Sequence, residues 1–171
     1  VTQYCSSTLG INITLNVFVP APCSSEQSTQ MGHIAKYVYE DGLPVLYLLH
    51  GAYVDAFSWV RYSSIDRYAQ VRGIVVVMAS AENSFYQDLR SGKKYKTFFT
   101  EELPLFIRNV FPVSREREKT FIAGFSMGGY GAWYLALSRP ELYAKAASMS
   151  GALDIAGLYQ AAAAGNNENN P

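Results

Sequence analysis

The sequence predicts an α/β fold, in which a mostly parallel sheet is covered by helices on both faces. Four short, mainly apolar runs occur along the chain, at residues 44–50, 73–80, 119–125 and 145–150. Such runs are typical of parallel strands that are buried on both faces. Segments of helical character separate them, and right-handed strand–helix–strand connections place these helices over the sheet. Size agrees with this fold, because 171 residues, 49% of them apolar, suffice for one domain with a core.

An antiparallel hairpin is expected at the start of the chain. Residues 11–19 alternate largely between apolar and polar side chains, as in a strand with one buried face, and residues 2–8 would pair with them. In this register Cys5 lies opposite roughly residue 14, and Cys23 lies well beyond it. We therefore expect two free thiols, a reducing compartment and a cytoplasmic protein.

A polar excursion of uncertain structure, residues 20–42, precedes the first parallel strand. Three helices are predicted farther along the chain, at residues 63–71, 100–110 and 127–138. The second of them contains Pro104. A proline is tolerated in the first turn of a helix, where its missing amide has no intrahelical acceptor. We therefore place the N-cap of this helix at Thr100.

The end of the chain differs in composition from the rest. Residues 154–163 have helical character, and the final GNNENNP is a polar, flexible segment. We interpret residues 1–171 as a single, incomplete domain. Its core is assigned to residues 1–156, whereas residues 157–171 are assigned to the start of an insertion or to a processed loop.

The strongest chemical signal is Gly124-Phe125-Ser126-Met127-Gly128, which matches the G-x-S-x-G nucleophile elbow. A serine hydroxyl becomes an effective nucleophile when it projects freely toward a base. A sharp strand-to-helix turn exposes it in this way, and glycines flank the serine because side chains would collide across the turn. A predicted strand precedes the motif and a helix follows it, so Ser126 is the candidate nucleophile of an α/β-hydrolase. The alternative is a tight turn in an inert α/β domain.

The second signal is His50-Gly51-Ala52-Tyr53, at the end of the first parallel strand. In hydrolases of this fold one oxyanion donor is the amide after the nucleophile, here Met127. The other donor comes from the loop after the third strand of the fold, which here is the first parallel strand, and the donor is Ala52. Two preorganised amides stabilise the charge that develops on the carbonyl oxygen of the substrate. We interpret His50 as a brace for this loop rather than as the general base, and His33 as a surface residue.

Aromatic side chains follow the predicted carboxyl ends of the strands, where open α/β sheets bind ligands. The candidates for an acyl or alcohol pocket are Tyr53, Trp59, Phe85 and Tyr86. Packing of these loops against the core is an equally open alternative for each residue.

Charge and motifs argue against several other functions. The 14 basic side chains equal the 14 acidic ones, without a basic stripe to neutralise phosphates, so nucleic acid is not an expected partner. The sequence has no zinc-ligand motif and no phosphate-binding loop, so neither a metal site nor a phosphate site is expected. No apolar run reaches the ~18 residues that a membrane span requires, so no membrane association is expected either.

Several blocks together resemble a known family: LYLLHG, SFYQD, EELPLFIRNVFP, FIAGFSMGGYGAW and SGALDI occur in this order. They resemble the tributyrin esterase (esterase A) group, a relative of esterase D, S-formylglutathione hydrolase and carbohydrate esterase family 1. The resemblance covers roughly residues 1–156. It implies an α/β-hydrolase fold, hydrolysis of short-chain or aryl esters, and no metal or organic cofactor. It also implies the nucleophile at Ser126 and the oxyanion amides at Ala52 and Met127.

The chain departs from this family in its catalytic triad. Family members supply two further strands and the triad aspartate and histidine after the nucleophile, whereas His33 and His50 both precede Ser126. Asp154 is interpreted as structural. We therefore expect a C-terminal fragment of the same polypeptide, absent here, to complete both the sheet and the triad. A homo-oligomer is a further open alternative.

The leading interpretation is a serine carboxylesterase that acts on short-chain acyl or aryl esters through an acyl-enzyme on Ser126. Acetyl, butyryl and feruloyl esters are the expected substrates. Two alternatives stay open: a thioesterase like S-formylglutathione hydrolase, and a non-catalytic binding protein with the same fold. The chain alone should be nearly inactive, because a serine without its base is hardly activated.

Overall fold

The computed structural model describes residues 1–20, 41–90, 92–157 and 160. These residues form one sheet, whose strands are β1 (Thr2–Ser6), β2 (Ile11–Phe18), β3 (Val45–Leu49), β4 (Val75–Ala79), β5 (Thr120–Phe125) and β6 (Lys145–Met149). The helices are α1 (Ser58–Tyr62), α2 (Ile65–Arg72), α3 (Tyr95–Thr97), α4 (Leu103–Val110) and α5 (Met127–Ser138). A π-helical turn (Phe98–Glu102) joins α3 to α4, and a 3-10 turn (Arg117–Lys119) precedes β5.

The strand order confirms the predicted, mostly parallel sheet. The strands lie in the order β1-β2-β4-β3-β5-β6. Strand β2 pairs in antiparallel fashion with both β1 and β4, whereas β4, β3, β5 and β6 run parallel to one another. The carboxyl ends of the four parallel strands therefore meet at one edge of the sheet, which is where ligands bind in such folds.

Helices cover both faces of the sheet, as the sequence predicts. On one face, Tyr47 of β3 belongs to a buried cluster with Leu103 of α4 and Leu135 of α5. On the other face, Leu48 packs in a second cluster with Ala69 of α2. Successive side chains of β3 thus enter different cores, because a strand points alternate residues to opposite faces.

The N-terminal hairpin is present, but its predicted register is wrong by two residues. Cys5 lies opposite Asn12 rather than opposite residue 14. Strand β1 ends at Ser6 because the turn takes four residues, 7–10, and the Gly10 amide closes it by donating to the Ser6 carbonyl at 2.9 Å. Within this turn the Ser7 amide donates to the carboxylate of Glu102, distant in sequence, at 2.8 Å. Cys5 is a free and exposed thiol.

The predicted start of the second helix is also wrong. The helical path begins at Tyr95 rather than at Thr100, and the Thr100 hydroxyl donates to the Lys96 carbonyl at 2.9 Å. Pro104 therefore lies inside a helical stretch that runs from residue 95 to residue 110, where it has no N–H group to donate to the helix. The π-helical turn accommodates it, because the Leu103 amide bonds to the Phe98 carbonyl five residues earlier.

Strand β6 is exposed, although its sequence predicted a buried strand. Four of its five residues are exposed, and among the described residues it pairs with β5 alone. Within the described residues, this strand therefore has the open edge that we expected. On the neighbouring helix α5, Trp133 and Leu137 are 46% and 73% exposed, so an apolar surface adjoins the free edge.

Some expectations fall outside the described residues. These concern Cys23, His33, most of the polar excursion and the GNNENNP segment. Within the part of the chain that the structure describes, no helix combines the length and the apolar character needed to cross a membrane.

Candidate active site

Ser126 stands at the sharp turn between β5 and α5. Its backbone has φ 52° and ψ −120°, a left-handed conformation that a residue with a side chain rarely adopts, and the residue is exposed. Such a conformation costs about 1–3 kcal/mol and persists only where the surrounding structure imposes it. No described residue forms a hydrogen bond with the Ser126 hydroxyl. The hydroxyl is therefore free to meet a substrate and a base.

The two glycines of the motif make this turn possible. A Cβ atom on Gly124 would collide with the carbonyl oxygen of Gly128. A Cβ atom on Gly128 would lie 2.5 Å from the Leu49 oxygen and 2.6 Å from the His50 oxygen. Backbone atoms cannot yield to such contacts as a flexible side chain can. The first turn of α5 thus rests directly on the end of β3, as the elbow interpretation requires.

The same close approach brings together the two candidate oxyanion loops. Met127 is the first residue of α5 and is buried, while Ala52 follows β3 and is half-buried. A Cβ atom on Gly51 would lie 2.6 Å from the Phe125 ring, so the loop after β3 touches the residue just before Ser126. The amides of Ala52 and Met127 therefore lie on adjoining segments at the nucleophile. Their role as oxyanion donors stays a prediction.

His50 braces this loop, which agrees with the sequence interpretation. Its ring is buried, and Nε2 accepts a hydrogen bond from the Ala81 amide at 2.8 Å. The other ring nitrogen, Nδ1, must then carry the proton, which it donates to the Gly51 carbonyl at 2.7 Å. The Tyr86 hydroxyl donates to the His50 carbonyl at 2.9 Å. With both ring nitrogens engaged, His50 is unsuited to act as the base for Ser126.

Burial lowers the pKa of His50 below its ordinary value of 6.5, although the hydrogen bond to Gly51 and the charge of Asp55 oppose this shift. The neutral ring is the form that accepts the Ala81 amide. In the unfolded chain His50 takes up a proton near pH 6.5, while the folded protein resists it. The stabilisation is therefore complete above pH 6.5 and is lost as the pH falls toward the lowered pKa.

Replacing His50 should expose this bracing role. A His50→Phe variant leaves the Ala81 amide without an acceptor, so we expect a loss of about 1–3 kcal/mol of unfolding free energy. A His50→Gln variant offers a carbonyl acceptor and should lose less. Urea unfolding at about pH 7.5 and about pH 5.5 measures both effects. The wild type should lose more stability on acidification than His50→Gln, and equal pH dependence would contradict the assignment.

Two of the aromatic candidates are accessible. Tyr53 is 92% exposed, with a left-handed backbone and its amide bound to the Asn83 side-chain oxygen at 2.8 Å. Phe85 also has a left-handed backbone, and its half-buried ring meets the Tyr130 ring edge-on at 5.9 Å. The contact from Asn83 had no signal in the sequence, because only the fold brings the loops after β3 and β4 together.

The other two aromatic candidates have packing roles. Tyr86 is completely buried, and its ring occupies the space that a side chain at Gly131 would need. Trp59 is half-buried, donates its indole N–H to the Leu49 carbonyl at 2.9 Å and packs edge-on against the Phe125 ring at 5.2 Å. For Tyr86, and largely for Trp59, the structure therefore favours the packing alternative over a pocket wall.

The described residues contain no complete triad. His50 is committed to the loop, and His33 lies outside the described residues. The Asp154 carboxylate accepts a hydrogen bond from the Gly157 amide at 2.9 Å, which agrees with its interpretation as structural. The site as described thus contains a candidate nucleophile and candidate oxyanion amides but lacks a base.

Comparison with known proteins identifies relatives of this site. The family described as "Putative esterase" matches residues 6–169. An acetyl esterase from Caldicellulosiruptor saccharolyticus is 38% identical over 121 residues, which cover 70% of this chain and 46% of that protein. This chain therefore spans less than half the length of that relative.

Two solved structures extend the comparison to the fold. FphF, a fluorophosphonate-binding serine hydrolase of Staphylococcus aureus, has a TM-score of 0.79 at 31% identity, over 92% of this chain and 58% of that one. The S-formylglutathione hydrolase FrmB of Staphylococcus aureus has a TM-score of 0.76 at 31% identity, over 93% and 59%. The protein has the α/β-hydrolase fold of these serine hydrolases, and the match over residues 6–169 shows that it belongs to the esterase family.

Proposed function

We propose that the protein is a serine carboxylesterase whose nucleophile is Ser126. The observation that carries this proposal is the exposed hydroxyl on a left-handed backbone, held between glycines at the carboxyl end of β5. Ser126 Oγ would attack the ester carbonyl carbon and pass its proton through a base to the departing alcohol. Water would then attack the acyl-enzyme, release the acid and restore the hydroxyl.

The amides of Ala52 and Met127 are the proposed oxyanion donors. Met127 begins α5, and the amides in the first turn of a helix have no intrahelical acceptors. The partial positive charge of this helix end favours the oxyanion that forms on the substrate. Tyr53 and Phe85, which are accessible at the same edge of the sheet, are the proposed pocket walls.

A further segment of the same polypeptide is proposed to supply the triad aspartate and histidine. Two observations support it: His50 is fully engaged, and β6 pairs only with β5 among the described residues, beside the exposed Trp133 and Leu137. A parallel strand added to β6 would satisfy its unpaired backbone groups and cover this apolar surface. Residues from such a strand could reach Ser126, because the carboxyl ends of parallel strands share one edge.

Short acyl esters are the proposed substrates, with acetyl first, because the acetyl esterase shares 38% identity with this chain. Butyryl and feruloyl esters follow from the resemblance to the tributyrin esterase group. The likeness to FrmB supports one competing candidate, a thioesterase that hydrolyses S-formylglutathione. The same Ser126 chemistry serves both, since the thioester differs only in its acyl group, formyl, and in its leaving group, a thiol in place of an alcohol.

Labelling with a fluorophosphonate tests the nucleophile and the missing base together. The full-length polypeptide should react rapidly, with the adduct on the peptide that contains Ser126. Residues 1–171 alone should react at least about 100-fold more slowly, since binding and the oxyanion amides remain but no base is present. A folded full-length protein that is not labelled at Ser126 would overturn the esterase proposal. Equal labelling of the two forms would instead reject the need for a further segment.

A panel of acetyl, butyryl and feruloyl esters, together with S-formylglutathione, then addresses substrate class. We expect the full-length protein to show its highest kcat/KM on acetyl esters. A clear preference for the thioester would favour the competing candidate.

A further inference from the structure

The last residue of β6 and the three residues that follow it, 149–152, are called here the β6 turn, and they bind the backbone of Ser126 on both sides. The Ser126 amide donates to the Met149 carbonyl at 3.0 Å. The Ala152 amide donates to the Ser126 carbonyl at 3.2 Å, and that carbonyl also accepts the Tyr130 amide of α5 at 3.0 Å. The peptide groups before and after the serine side chain are thus both tied to one turn.

These bonds matter because Ser126 has a strained backbone. At φ 52° and ψ −120° the residue would relax toward an ordinary conformation unless its neighbours prevented it. Strand β5 and helix α5 fix the chain before and after the serine. The β6 turn supplies the two bonds that come from outside this strand–helix unit, so it can hold the direction in which the hydroxyl points.

The β6 turn is seated against α5 by contact between two glycines. A Cβ atom on Gly151 would lie 2.9 Å from the carbonyl carbon of Gly129 and 3.0 Å from the Tyr130 nitrogen. It would also collide with the Ser148 hydroxyl, which is buried and has no hydrogen-bond partner in the part of the chain that the structure describes. Backbone therefore meets backbone here, and any side chain at position 151 must push the turn away from the helix.

We propose that the β6 turn, through Gly151, is a positioning element for the Ser126 nucleophile. This inference rests on the proposed function, since it concerns the same serine. The turn bonds to the backbone of Ser126 and not to its hydroxyl. Gly151 acts by allowing the Met149 and Ala152 bonds to form, and a larger residue should misdirect the hydroxyl without removing it.

Three variants of the full-length protein test this inference. Gly151→Ala should slow fluorophosphonate labelling at least about tenfold and lower kcat for an acetyl ester by a similar factor, with KM little changed. Ser148→Ala is the matched control, because it removes only an unpartnered hydroxyl, and its rates should stay within about twofold of wild type. The double variant Ser148→Ala/Gly151→Ala should remain slow, since the contacts with Gly129 and Tyr130 persist.

The outcomes separate this inference from the proposed function. Wild-type protein that fails to label at Ser126 defeats the proposed function itself. Wild-type labelling with an equally rapid Gly151→Ala variant overturns only the positioning role. The positioning role is also overturned if Gly151→Ala raises KM at unchanged kcat. It is overturned as well if Ser148→Ala reacts as slowly as the two variants that contain Gly151→Ala. Thermal unfolding is measured for each variant. If Gly151→Ala alone does not fold, the double variant, which lacks the nearest clash, decides the question.

Discussion

A Ser126→Ala variant of the full-length protein should lose at least about 10⁴-fold in kcat/KM for an acetyl ester. The hydroxyl oxygen is the atom that would form the acyl-enzyme, and no other described group at the elbow could replace it. Labelling by a fluorophosphonate should disappear as well. The midpoint of thermal unfolding should change little, because the hydroxyl has no hydrogen-bond partner among the described residues. Alanine and serine both carry a Cβ atom, so the left-handed backbone at this position costs the two residues a similar free energy.

The matched control is Ser64→Ala. Ser64 is exposed at the start of α2 and its side chain makes no capping hydrogen bond, so this variant should keep wild-type kinetics. A Ser126→Ala protein that is folded and still hydrolyses acetyl esters at wild-type rates would show that the nucleophile lies elsewhere. The elbow would then be a structural turn, which is the inert alternative that the sequence left open.

The second large effect is expected at Glu102, which fastens the N-terminal hairpin to the helical layer. Its carboxylate accepts hydrogen bonds from the Tyr4 hydroxyl at 2.9 Å and the Ser6 hydroxyl at 2.8 Å. It also accepts the Ser7 amide at 2.8 Å and the Thr8 amide at 3.0 Å. One side chain therefore satisfies donors along β1 and the turn that follows it.

This arrangement shifts the pKa of Glu102. Burial alone would raise the pKa, but the hydrogen bonds from Thr8, Ser6 and the Ser7 amide outweigh it and lower the pKa to about 2. The folded protein thus holds the charged form far below the ordinary value of 4.5. Its stabilisation is complete above pH 4.5 and is lost as the pH falls toward 2.

A Glu102→Ala variant should lose about 2–3 kcal/mol of unfolding free energy at neutral pH, since bonds to a charged acceptor contribute more than neutral ones. Partial exposure of the carboxylate keeps the expected loss below the sum of its separate bonds. Urea unfolding measures the loss, and a pH series between about 7 and about 3 measures its titration. The destabilisation should shrink as the pH approaches the lower end, because the wild type is then losing the same contribution.

Glu101→Ala provides the matched control for this prediction. Glu101 is the preceding residue, is exposed, and pairs with Arg139 on the surface at 3.1 Å. Exposed ion pairs contribute little, so this variant should lose less than about 1 kcal/mol. Equal losses in the two variants would indicate a general effect of charge on this helix rather than the anchoring of the hairpin.

The hairpin and the second helix show why some sequence predictions were wrong. Local alternation predicts that residues 2–8 pair with residues 11–19, but residues 7–10 form the turn, and its Ser7 amide binds Glu102, which is 95 residues away. Local capping rules place the helix start at Thr100. The Asp88 carboxylate instead accepts the amide and the hydroxyl of Thr97 at 3.0 and 2.8 Å, at the true first turn of the helical path. Neither partner is visible in a short window of sequence.

Local sequence was sufficient to predict the parallel strands, the helix after the elbow and the position of Ser126. These features depend on apolar runs and glycine spacing within short stretches, where the chain's own geometry decides. Only the assembled fold shows which aromatic side chains remain accessible, how His50 uses both ring nitrogens, and that the β6 turn bonds to the Ser126 backbone. Each of these depends on loops that follow different strands and meet only when the sheet is assembled. The distance between such loops is a property of the fold and is absent from any local pattern.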